Sequence, residues 1–230
     1  MSRDQDPGYR FFDQLPIESI DIGSTVLVAG PALSAAEDLA LSMVVEGTTA
    51  DEGMLFISTN KTVGKLLTAC RRIRPDLRPS RIGVVDCTGQ DIGTTDSEAA
   101  VKYVSTQSDL TGIGMKYSAL YESLYQASPG GRVRTGMVSL SSLVMYVDLR
   151  DVFRFAQTLA NRIDSANGLG VFSIDPSMHD TRAVSTLNQL ADVVIEVRDP
   201  ETDAPRPADG DVRVRGLRDQ SSEWQPFGLP

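Results

Sequence analysis

Short, nearly continuous apolar runs, each followed by a stretch with helical periodicity, constrain this chain more than any other feature. The runs are 24–29 (STVLVA), 54–58 (MLFIS), 82–86 (IGVVD), 135–140 (TGMVSL), 170–174 (GVFSI) and 193–197 (VVIEV), with 212–215 (VRVR) as a candidate seventh. Between them, 34–47, 62–73, 115–127, 148–166 and 181–190 space their apolar residues as helices do. In 148–166 the stripe is Val152, Phe155, Leu159 and Ile163. A strand with one wet face alternates polar and apolar residues. These strands do not, so both faces must be covered. The pattern predicts an α/β fold of three layers, α-β-α, around a mostly parallel twisted sheet of six to seven strands. At about 150 residues per domain, 230 residues fit one large domain over 1–230. The polar stretches 1–9 and 199–211 are expected to be mobile.

Composition removes several classes of function. Lys and Arg total 22 against 31 Asp and Glu, a net charge of −9. The acids divide into 22 Asp and 9 Glu, and the bases into 18 Arg and only 4 Lys. Such a surface repels phosphate backbones and anionic lipids, which argues against a general nucleic-acid or membrane-surface binder. Acid excess with scarce Lys resembles proteins of salt-loving archaea; an acidic protein from a GC-rich genome is the alternative. No apolar run approaches the 18 or so residues of a membrane span. With a polar Met1–Arg10, the expectation is a cytoplasmic protein. Cys70 and Cys87 form no Cys-x-x-Cys, and His179 is the one histidine, so no usual zinc site can be assembled and free thiols are expected.

In a parallel α/β sheet, ligands lie beyond the carboxyl ends of the strands. The first strand runs into Gly30-Pro31-Ala32-Leu33-Ser34-Ala35-Ala36-Glu37. A phosphate loop would read Gly-x-x-x-x-Gly-Lys-Ser/Thr. Counted from Gly30, the second glycine falls on Ala35, the lysine on Ala36 and the hydroxyl on Glu37. Ser34-Ala35-Ala36-Glu37 instead fits a capping box, in which Glu37 would reach back to the Ser34 N–H and supply an anion at the helix start. Two readings stand: an anion site filled internally, or an ordinary capped helix.

The stretches Val26–Gly30, Gly53–Ser58, Ile82–Asp86, Gly136–Tyr146, Leu169–Asp180, Asp192–Arg198 and Arg213–Leu217 occur in an order and spacing that resembles the RecA/KaiC-like branch of the P-loop ATPases, in a divergent haloarchaeal form. The resemblance spans about Tyr9 to Phe227. It implies a RecA-like fold, with ATP and magnesium as the cofactors of active members. The second motif of that family ends a strand in an Asp; here Val138 stands there, before Ser139. Acidic water activators after the second strand are replaced by Thr59-Asn60-Lys61. Phosphoryl transfer depends on such groups for positioning and charge. Losing them together predicts no ATP hydrolysis by the family mechanism, no catalytic residues and no bound cofactor.

The candidate cofactor-binding positions are therefore Gly30, Ser34, Ala35, Ala36 and Glu37, as a degenerate loop, with Ser139 and Asp175 at strand ends. Thr59, Asn60, Asp86, Thr88 and His179 are further polar residues near strand ends and could line a small pocket, or be ordinary strand-end polarity. Arg71, Arg72, Arg74, Arg78 and Arg81 form a basic cluster that either meets phosphates or an acidic neighbour, or pairs with its own surface. Trp224 and Phe227 either pack on the core or dock on a partner. The functional expectation is an inactive RecA/KaiC-like protein that regulates or scaffolds, through self-association or a protein partner such as an active relative. The alternatives are a nucleotide-binding ATPase or sensor with altered motifs, and a recombinase-type nucleic-acid module.

Overall fold

A computed structural model describes residues 8–89, 98–200, 208–217 and 221–230. The chain begins with β1 (Tyr9–Arg10) and β2 (Ser19–Ile20), a small antiparallel pair. It continues through β3 (Thr25–Ala29), α1 (Ala36–Val45), β4 (Gly53–Ser58), α2 (Val63–Ile73), β5 (Ile82–Asp86), β6 (Ala100–Tyr103) and α3 (Leu110–Ala127). Then come β7 (Val133–Val138), α4 (Leu140–Val144), α5 (Leu149–Ser165), β8 (Leu169–Ile174), α6 (Thr181–Asn188), β9 (Val193–Arg198), β10 (Gly210–Arg215) and β11 (Gln225–Phe227).

Nine strands form the main sheet in the order β11-β10-β9-β3-β8-β7-β4-β5-β6. From β9 to β6 every pairing is parallel; β9–β10 and β10–β11 are antiparallel. The sheet is thus α/β and mostly parallel, as expected, but larger than six to seven strands. The two additions are edge strands. β6 has no fully buried residue, so it lacks the continuous apolar signature, and β11 is three residues with Pro226 at its centre. An edge tolerates such a proline because one side of the strand has no partner.

Two cores confirm that both faces are covered. One packs Leu39, Met43, Leu66 and Cys70 of α1 and α2 against Val28, Phe56 and Ile195. The other packs Tyr117, Leu120, Val152, Leu159 and Leu187 of α3, α5 and α6 against Leu27, Leu55 and Phe172. Residue 133 rather than 135 starts β7, and α4 follows it at once, a helix that the apolar run through Leu140 conceals. The start of α3 lies at Leu110 rather than 115, where Asp109 accepts from the Gly112 N–H at 2.8 Å. That cap offsets the poor helix propensity of Gly112 and Gly114.

The expected mobile stretches 1–9 and 199–211 fall largely outside the described residues. At their described ends, Tyr9 is fully buried in β1 and Gly210 opens β10. A buried ion pair anchors this corner. Arg134 donates from Nε to Glu52 at 2.5 Å and from its terminal nitrogens to the Met43 and Arg10 carbonyls, with its guanidinium 5.1 Å from the centre of the Tyr9 ring. At the far edge Phe227 is buried and Trp224 lies over Arg198 and Arg213, so the tail packs on its own sheet.

Candidate functional site

The sheet reverses its order of crossing around β3. Through α1 the chain leaves β3 on one face toward β4, and through α6 it returns from β8 on the other face to β9. Such a switch opens a crevice at the carboxyl ends of the strands. Here a cleft of about 440 Å³ lies there, walled by Gly30–Ser34 and Glu37 on one side, by Asn60 and Lys61, and by Ser139, Ser173 and Asp175 on the other.

Gly30 is required by contact. A Cβ on it would meet the Ala36 Cβ at 2.6 Å and the Ser34 Oγ at 2.9 Å. After it, Pro31–Ser34 form a tight turn in which the Ser34 N–H donates to the Pro31 carbonyl at 3.2 Å. Leu33 occupies the third position of this turn at φ 69°, where L-residues pay for a close Cβ–carbonyl approach, and its side chain is fully exposed.

The capping box does not form. Ser34 donates its Oγ proton to the Pro31 carbonyl at 2.7 Å and accepts from the Ala36 N–H at 3.4 Å, and Ala35 stands at the helix cap with no side-chain bond. The turn thus consumes the hydroxyl that the box would use. The Glu37 carboxylate instead pairs with Lys61 at 2.9 Å, crossing from α1 to the loop after β4. The carboxylate that meets an amide of this loop is a different one. Asp175 accepts from the Ala32 N–H at 2.9 Å, from the Ser177 N–H at 2.9 Å and from the Ser177 hydroxyl at 2.6 Å.

Ser139 follows β7 at φ 73°, held from three sides. Its N–H donates to Ser173 Oγ at 2.9 Å, its carbonyl accepts from Thr59 Oγ1 at 2.9 Å, and its own Oγ accepts from the Ser142 N–H at 3.2 Å. Thr59 Oγ1 also donates to the Val138 carbonyl at 2.7 Å, so this hydroxyl pins the end of β7 from beneath. Ser141, fully buried, lies 2.9 Å from His179 Nε2 and accepts from the Asp175 N–H at 3.0 Å.

Of the predicted positions, Gly30, Ser34, Ala36, Glu37, Ser139 and Asp175 line the cleft, and Asn60 joins them. Ala35 does not line it; it is the helix cap beside it. Asp86 and Thr88 lie apart: Asp86 is buried and caps α2 through the Val63 N–H at 3.1 Å while holding Thr88. His179 lines the neighbouring groove. Lys61 was legible only as the absence of an acid, and Ser142 and Ser173 carried no sequence signal beyond their polarity.

The basic cluster is largely spoken for. Arg72 pairs with Asp38 at 2.7 Å, Arg74 with Asp76 at 3.2 Å, and Arg78 and Arg81 share Asp51 at 2.8 and 3.0 Å. Both cysteines are free and buried, and burial pushes each thiol up from 9.0 to about 12. No described helix is long and apolar enough to cross a membrane.

Across 98% of this chain and 94% of its own, the crystal structure of a KaiC-like protein, PH0186 from Pyrococcus horikoshii OT3, superposes with a TM-score of 0.62 at 16% sequence identity. That likeness establishes a KaiC-like fold. No curated protein sequence matches the chain. A family profile covers residues 23–197, from the turn before β3 through nearly all of β9. The chain therefore belongs to DUF7504, a family of unknown function.

Proposed function

We propose that this protein acts by binding a protein partner, as a regulator or scaffold, and does not hydrolyse a nucleotide. The observation that carries the reading is the Asp175 carboxylate on the Ala32 N–H. A backbone amide of the loop that would approach a phosphate is already bonded to an internal anion, in the position that phosphate-binding loops leave open.

Three further features of the loop fit ATP and magnesium poorly. Ala35 and Ala36 bring a Cβ and no ammonium to the loop. Lys61, a cation at the mouth, is engaged by Glu37. Glu37 and Asp38 place two carboxylates in the first turn of α1, where triphosphate charge would gather. No step of catalysis is therefore assigned to this cleft.

A second reading, a sensor for a small polar molecule, is favoured by the cleft itself: about 440 Å³ with hydroxyls from Ser34, Ser139, Ser142 and Ser173 among its walls. The nucleic-acid reading loses support from the arginines, four of five of which are paired to nearby acids.

The experiment is a titration with a fluorescent ATP analogue, with magnesium, followed by phosphate release on the same protein. The expected result is no binding below millimolar concentrations and no turnover. Micromolar binding with turnover that Lys61→Ala abolishes would overturn the proposal. Micromolar binding without turnover would favour the sensor.

A further inference from the structure

Among the described residues six large apolar side chains are exposed, and four of them, Leu33, Met145, Tyr146 and Met178, stand in loops at the carboxyl end of the sheet. The other two, Met115 and Tyr125, lie on α3. In an acidic and well-charged protein this concentration is unusual and marks an interaction surface.

The patch has a knob and a hole. Leu33 is the knob: its backbone is held at positive φ so that an aliphatic side chain projects wholly into solvent. The hole is a groove of about 850 Å³ between α5 and α6, with Val144, Leu149, Phe153 and Ala183 in its walls and Met145 and Met178 at its rim. Met178 also lines the cleft that carries Leu33, so knob and hole are continuous. Methionine rims adapt to an inserted side chain more readily than branched residues do.

The charges around the groove balance. Arg150 and Arg182 face it together with Asp148 and Asp180, beside His179. Neither arginine forms an ion pair among the described residues, whereas most of the other described arginines do. Asp180 also caps α6 through the Ala183 N–H at 2.7 Å. A protein of net charge −9 is on balance repelled by a copy of itself. At this patch a two-fold axis can set arginine against aspartate instead.

We infer that the carboxyl-end face is an isologous dimer interface, in which Leu33 of each copy enters the Met145–Met178 groove of the other. Knob and hole on one face are what a two-fold axis requires, because each residue that gives a contact also receives it. The inference deepens the proposed binding role by naming a second copy of this chain as the partner. Dimerisation would cover the mouth of the cleft.

Sedimentation velocity on the full chain, from low micromolar to several hundred micromolar, tests this. The expected result is a concentration-dependent monomer–dimer equilibrium that persists in molar KCl, because its apolar part is not screened. Leu33→Asp and Met178→Glu should each weaken the dimer by about tenfold or more, as loss of an interface anchor does. Met115→Glu, outside the patch, should leave it unchanged. Leu33→Gly removes the knob while relieving the backbone, so it keeps the fold, checked by circular dichroism, and still weakens the dimer. A monomer at every concentration, a dimer indifferent to Leu33→Asp and Met178→Glu, or assembly growing past two copies would each overturn the inference. The ATP titration is read separately: turnover would reject the proposed role and leave the dimer standing.

Discussion

The Asp175 carboxylate and the Ala32 N–H, 143 positions apart in sequence, meet at 2.9 Å and close the loop after β3 onto the end of β8. The contact joins the loops that follow two strands paired in parallel, β3 and β8. Asp175→Asn should loosen that loop. Hydrogen bonds to a charged acceptor contribute about 1.5–3 kcal/mol, and Asp175 is partly exposed, so a loss of roughly 1–2 kcal/mol is expected. Urea unfolding measures it, and hydrogen exchange at Ala32 should quicken more than at β3. Unchanged exchange there would show that the carboxylate does not hold the loop.

Leu33→Gly should raise the melting temperature by a few degrees. The native φ of 69° is free for glycine and costly for leucine, and the exposed side chain loses no packing. Calorimetry on dilute protein reads the effect; a fall in melting temperature would mean that Leu33 is not strained.

Glu52→Gln should cost about 3–5 kcal/mol, the usual result of removing one partner from a buried ion pair. Arg134 and Glu52 are 2% and 4% exposed, and Arg134 keeps carbonyl acceptors and the Tyr9 and Phe11 rings, but no charged partner, when the carboxylate is gone. Replacing both by apolar residues of similar size should cost much less. Chemical denaturation of the single and double variants tests both statements.

Cys70 and Cys87 should resist thiol reagents at pH 8 in the native state and react once the chain is unfolded. Each thiol titrates near 12 when folded and near 9.0 when free. The folded form thus keeps protons that the unfolded form releases, so the thiols' contribution to stability is full below about pH 9 and is lost as pH rises toward about 12. Cys70→Ala with Cys87→Ala should flatten that decline, and an unchanged alkaline profile would show that other groups cause it.

Much of the fold was legible because a buried parallel strand has no alternative composition. Five short apolar runs appear as β3, β4, β5, β8 and β9 within one residue of where their sequence places them. What could not be read were elements whose stability comes from neighbours. β11 exists because Phe227 finds a buried place beside β10, and α4 because Ser139, at positive φ, caps it from a strand end. In the cleft, the loop from Gly30 to Glu37 was identifiable from spacing alone, yet its bonding was not. Ser34 and Glu37 have the spacing of a capping box, and each finds a partner elsewhere, Pro31 and Lys61.

By itself the sequence determined the class of fold and put Ala36 at the position where a Gly-x-x-x-x-Gly-Lys loop counted from Gly30 would have its lysine. Those follow from local periodicity and from counting along one segment. Only the tertiary structure decided which carboxylate answers the loop amides, which cation answers Glu37, and which apolar residues are left in water. Leu33, Lys61 and the pair Asp175 and Met178 belong to three different loops. Hydrogen bonds and apolar contact act over a few ångströms, and the parallel sheet alone brings the ends of those loops within that reach.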